Sequence, residues 1–192
     1  MKNSQKIKEM TGIAILGAVV AVAQLFIYIP VGEFTITFAL VPIVVAAIIY
    51  GPKGGVFCGL VMGMIVLFTD AALFLGINPI ATVFACLLKS SCAGLLVGFI
   101  YKWIKNKLVG SYVASIAAPI VNTGIFVFCC LVFFASGVES ELGISIWSFM
   151  AVAVLPNFLI ELGVSIILAP FIVKIIEIFK IRMGKNRPEN NQ

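Results

Sequence analysis

Four polar side chains, Lys89, Asn122, Asn157 and Glu161, interrupt long apolar stretches of this sequence. Lysine brings a cation with three donors, glutamate an anion that only accepts, and each asparagine amide both donates and accepts. A cation beside amides and a carboxylate can hold an anionic ligand group on Lys89 and polar hydrogens on Glu161 and the amides. The same residues admit a structural reading, in which Lys89 and Glu161 pair to clamp two helices and the asparagines bond backbone groups freed by Pro119 and Pro156. A buried ion pair is an expensive clamp, because an apolar replacement is often as stable. The two readings are compatible if a ligand inserts into an existing pair.

The elements that carry these residues are set by composition. The chain has 192 residues, of which 62% are hydrophobic and 11% charged, with a mean hydropathy of +1.19. Soluble domains usually carry about a quarter charged residues, so this is an integral membrane protein. The length predicts one membrane domain without a separate globular unit. Apolar runs place spans at 11–29, 39–50, 56–75, within the stretch 78–107 from Pro79 onward, at 112–135 and from about Trp147 to Phe179. The predicted fold class is thus an all-α bundle of six transmembrane helices over 11–179, with a polar N-terminal tail at 1–10 and a basic, then polar tail at 180–192. Ala21-Val22-Ala23 imitates a signal-peptide cleavage site, but only retention of the first span gives a consistent topology.

At about 1.5 Å per helical residue, Lys89 lies roughly 20 Å from Lys102, Asn122 roughly 15 Å from Tyr112, and Glu161 and Asn157 roughly 20 and 25 Å from Lys174. All four therefore share one slab near the middle of a hydrocarbon layer about 30 Å thick. Ionisable groups at that depth are costly and face a cavity, a partner or a substrate. Twelve of the thirteen Lys and Arg residues fall in the tails and in loops on one side, Glu33, Glu139 and Glu141 fall on the other, and Lys89 is the exception. Basic residues mark the cytoplasmic side, so both termini are expected in the cytoplasm. That arrangement also explains the net charge of +5 without nucleic acid.

Local signals fill in the rest. Phe34, Ile36 and Phe38 alternate with Thr35 and Thr37 after Pro30, the pattern of an extended or hairpin-like outer segment. Gly55, Gly59 and Gly63 repeat at four-residue spacing and allow close helix contact. Asn78-Pro79 reads as a capped helix start. Ala14 and Ala18 form a small-residue strip on the first span, with Gly17 and Ala21 offset from it. Phe34, Phe38, Phe126, Phe128 and Trp147 are candidates for lining or closing a pocket, with core, lipid or interfacial contact as the plain alternative. The five cysteines all sit in apolar segments and no histidine is present, which argues against disulfides and metal binding. No protease, metal-dependent lipid-enzyme or phosphate-loop motif occurs, so uphill transport would draw on an ion or a partner.

The run FALVPIVVAAIIYGPKGGVFCGLVMG from Phe38 to Gly63, the strip on the first span, APIVNTGIF from Ala118 and PNFLIELG from Pro156 resemble the substrate-binding S components of energy-coupling factor (ECF) vitamin transporters. The resemblance covers nearly the whole chain. It implies a non-enzymatic subunit that binds a vitamin from outside through its fourth to sixth helices. It also implies partnership with a T component and two ATPases, which hydrolyse ATP so that this chain binds no cofactor itself. Carried onto this sequence, Ala14 and Ala18 match the docking strip, Val31 to Thr37 with Phe34 and Thr35 the gating loop, and Lys89, Asn122, Asn157 and Glu161 the substrate contacts. Pantothenate suits the set best, its carboxylate on Lys89 and its hydroxyls and amide on Glu161 and the asparagines; folate, hydroxymethylpyrimidine, riboflavin and a queuosine precursor remain open. The alternatives are a self-sufficient carrier with Glu161 or Asp70 as proton site, against which no inverted repeat is seen, and a membrane scaffold without a ligand.

Overall fold

Within a bilayer an apolar run can satisfy its backbone only as a helix or a closed barrel, and in the computed structural model, which describes residues 2–31 and 34–185, the runs are helices. The elements in chain order are α1 (Lys2–Phe26), β1 (Tyr28–Val31), β2 (Phe34–Thr37), α2 (Leu40–Ile49), α3 (Pro52–Thr69), α4 (Ala72–Ile77), α5 (Pro79–Trp103), α6 (Lys107–Cys129), α7 (Ala135–Leu142), α8 (Ile146–Phe149) and α9 (Leu155–Lys185). Five helical stretches are long and apolar enough to cross a membrane: Lys6–Phe26, Pro52–Thr69, Pro79–Trp103, Lys107–Leu142 and Ile146–Ile178. The apolar helix α2, Leu40–Ile49, is shorter. The expected outer segment is an antiparallel hairpin pairing Tyr28 with Thr37 and Val31 with Phe34. Gly32 and Glu33, which belong to the expected gating loop and outer acidic set, lie outside the described residues, as do 186–192 of the expected tail.

Several boundaries differ from expectation. The first ten residues were expected as a tail, yet α1 begins at Lys2, because Lys, Gln and Glu are good helix formers that extend a hydrophobic helix into water. For the same reason α9 runs on to Lys185 rather than stopping at Phe179. The third span, expected to run to about Leu75, ends at Thr69, and Ala72–Ile77 is a separate short helix. The polar loop expected from Ser136 to Ser145 is mostly α7, continuous with α6 through a π-helical turn at Cys130–Phe134, and it ends at Gly143, whose φ of 65° is the left-handed conformation that stops helices. A second π-helical turn, Met150–Val154, joins α8 to α9 just ahead of Pro156. Proline crowds the carbonyl four residues back, and a wider turn relieves that conflict.

The capped helix start at Asn78-Pro79 holds as read. The Asn78 side chain accepts from the Ala81 N–H with Pro79 in the first turn, and Pro42 lies in the first turn of α2. Gly51, at φ 77°, makes the reversal into α3.

The core is organised around the contact of α3 with α5, the most extensive helix pair. Along it Gly55 lies against the Gly94 backbone, Gly59 against Ser90, and Gly63 against Cys86, where an added methyl would sit 2.6 Å from the Cys86 carbonyl oxygen. The four-residue glycine spacing thus brings two backbones into contact. One apolar cluster joins α1, α2 and α3 (Val20, Ile43, Cys58), and another joins α2, α5, α6 and α9 (Val44, Val97, Ile172). A third, around Phe74, packs α4 against α6, α7 and α8. The first of these clusters and the Phe74 cluster both contribute walls to a cavity with polar lining.

Candidate functional site

Helix periodicity turns Lys89 away from the glycine seam, since it is one residue, or about 100°, from Ser90. The direction it takes leads into a cavity of about 60 Å³ lined by Lys89, Asn122, Asn157 and Glu161 together. The four residues singled out in the sequence, drawn from α5, α6 and α9, therefore converge. Asn122 is 5% exposed and Glu161 6%.

The cavity also takes in residues that the reading of its depth missed. Gln24 comes from α1, Asp70 from the end of α3, Phe74 from α4 and Thr123 from α6, with Met62, Val66 and Val154 among the apolar walls. Phe126 lines it, as one of the aromatic candidates, whereas Phe38 is not among its lining residues. Phe128 and Trp147 are 63% and 70% exposed and face outward. Phe34 and Thr35 sit in β2. Ala14 and Ala18 lie on the exposed side of α1, while Gly17 is turned inward against Phe57.

The polar chemistry inside is incomplete. Asn122 Oδ1, Asn157 Oδ1, Glu161 Oε2 and Gln24 Oε1 are buried without a hydrogen-bond partner. Buried polar atoms are nearly always bonded, and each orphan costs about 1–3 kcal/mol. Four orphaned acceptors around one cavity therefore mark a place where another molecule supplies donors. Lys89 Nζ lies 4.7 Å from the centre of the Phe126 ring. Among the described residues it donates no hydrogen bond and forms no ion pair with Glu161. The clamp reading is thus not the arrangement present, and the asparagine carbonyls are not occupied with backbone. The ring lowers the cost of the cation by its negative face and leaves the ammonium hydrogens open to an anion.

At about 60 Å³ the cavity holds a few waters and is smaller than the roughly 150 Å³ that accommodates benzene. Phe74 and Phe126 form part of its wall, and the Phe74 ring centre lies 5.5 Å from that of Phe126, 5.0 Å from Phe134 and 6.1 Å from Phe149, all edge-on. Phe134 belongs to the first π-helical turn and Phe149 abuts the second, and such turns recur at functional sites.

A bundle of membrane-crossing helices around one buried, donor-seeking pocket defines a small-molecule-binding membrane protein. The chain belongs to the family of ECF transporter substrate-specific components, whose model matches residues 8–173. It is 29% identical over 192 aligned residues to the pantothenic acid transporter PanT of Lactococcus lactis subsp. cremoris (strain MG1363), covering 90% of this chain and 95% of that protein.

Proposed function

We propose that this chain captures pantothenate for an ATP-driven importer. The observation that carries the reading is the open Lys89 cation sharing one cavity with orphaned amide and carboxylate oxygens. Pantothenate has a carboxylate for Lys89, and two hydroxyl hydrogens and one amide hydrogen to share among the orphaned oxygens of Glu161, Asn122, Asn157 and Gln24. Its likeness to PanT supports the same vitamin. The pocket must widen to admit a molecule of that size, and the hairpin with Phe34 and Thr35 is the gate.

In this reading α2 is the sixth, short span, and the basic residues put both termini in the cytoplasm. Ala14 and Ala18, on the exposed side of α1, dock a T component that is driven by two ATPases. The chain hydrolyses nothing itself.

The test is a binding screen of the detergent-purified chain, without ATP, against a panel of water-soluble vitamins. Stoichiometric binding of pantothenate is expected; selective binding of another vitamin replaces the substrate, and binding of none overturns the reading. Asp70 and Glu161 in one cavity also suit a proton-coupled carrier. That second reading requires the chain alone in proteoliposomes to accumulate pantothenate under a proton gradient.

A further inference from the structure

The cavity also has polar lining from α1 and the end of α3, Gln24 and Asp70. Asp70 Oδ2 accepts from Gln24 Nε2 at 3.2 Å and from Thr69 Oγ1 at 3.1 Å. A carboxylate only accepts, so the Gln24 amide must turn its nitrogen toward Asp70. Its oxygen is thereby fixed on the opposite side, as an acceptor. That oxygen is buried without a partner, the residue is 3% exposed, and both Gln24 and Asp70 line the cavity.

We propose that Gln24 is a specificity-determining residue that reads a hydrogen-bond donor, a hydroxyl or an N–H, on the ligand, and that Asp70 is the positioning residue that holds its amide in the reading orientation. Lys89 on α5 selects a ligand by its anion, and Gln24 on α1 selects it by a hydrogen. A ligand with an anion but no donor satisfies the first and leaves the Gln24 oxygen orphaned, so it binds more weakly. Sites built to bond a ligand hydrogen discriminate strongly against analogues that lack it, because the buried partner is left unpaired.

This inference rests on the pantothenate reading and deepens it. The experiment measures binding of pantothenate and of three analogues, two lacking one hydroxyl each and one methylated at the amide nitrogen, to the wild-type chain and to Gln24→Met. The wild type should prefer pantothenate to at least one analogue by about tenfold or more. In Gln24→Met that preference should collapse to within about threefold, with affinity for the disfavoured analogue retained and the unliganded protein melting as before. Asp70→Asn lets the amide turn either way, and should reduce the same preference even if Gln24→Met does not fold. An unchanged preference in the variants, or an equal loss for all ligands, overturns the inference and leaves the pantothenate reading standing. A wild-type chain that binds pantothenate no better than its analogues overturns the role of Gln24, and one that binds none of them overturns both.

Discussion

Helix α5 presents two surfaces about 100° apart that are built on opposite rules. On the seam side Gly94, Ser90 and Cys86 meet the backbone of α3 with no side chain between, and of these only Cys86 also borders the cavity. On the cavity side Lys89 stands beside a ring and orphaned oxygens, in a space that its own protein does not fill. The seam's backbones are packed against each other without a ligand; the cavity is left unfilled. One helix can therefore carry stability on one face and recognition on the adjoining one, so damage to each should appear in a different measurement.

The largest effect should come from Gly59→Leu. A Cβ there already meets the Ser90 carbonyl and would lie 2.9 Å from Ser91 Cα, so the helices must part. We expect a loss of about 3 kcal/mol or more, seen as failure to recover monodisperse protein or as a greatly lowered melting temperature. Recovery of wild-type melting would show that the seam is looser than its backbone contacts indicate.

Lys89→Met should act on the other face alone. It removes the proposed anion anchor, and pantothenate affinity should fall by about 2 kcal/mol, or roughly thirtyfold in Kd, as for loss of one partner in a buried charged contact. Melting of the unliganded protein should hold or rise, because an ionisable group leaves membrane depth. If affinity is unchanged by calorimetry, Lys89 is not in the site.

The smallest effect belongs to Ser90→Ala. The Ser90 hydroxyl is also buried and unpartnered, but it sits beside the seam rather than among the cavity's lining residues. Removing it should leave ligand binding unchanged and stability neutral or raised by up to about 1 kcal/mol. A thermal-shift assay that instead finds a fall of several degrees would put the two kinds of orphan on the same footing.

The site was legible where sequence position converts directly into depth. Lys89, Asn122, Asn157 and Glu161 sit on long helices with fixed rise, so equal depth implied proximity, and the cavity bears this out. The glycine spacing likewise announced the seam. Gln24 escaped because it lies near the end of its helix, outside the helices that the family resemblance pointed to, although it is the lone amide in an otherwise apolar run. Asp70 was noticed only as a proton site; its hydrogen bond to Gln24 spans 46 residues of sequence, and no local pattern reports that. Phe74 sits on a six-residue helix, too short for apolar periodicity to show. The extent of α7 was missed because Glu139, Ser140 and Glu141 look like a loop, while the residue that ends the helix, Gly143, was in plain view.

The glycine seam also acts as a ruler. Because its contacts are backbone against backbone, α5 can find an equivalent fit along α3 only one glycine interval away, four residues or about 6 Å along the axis. Such a slip would carry Lys89 through about a fifth of the hydrocarbon thickness. The position of the cation relative to α3 is thus quantised by the glycine positions on that helix.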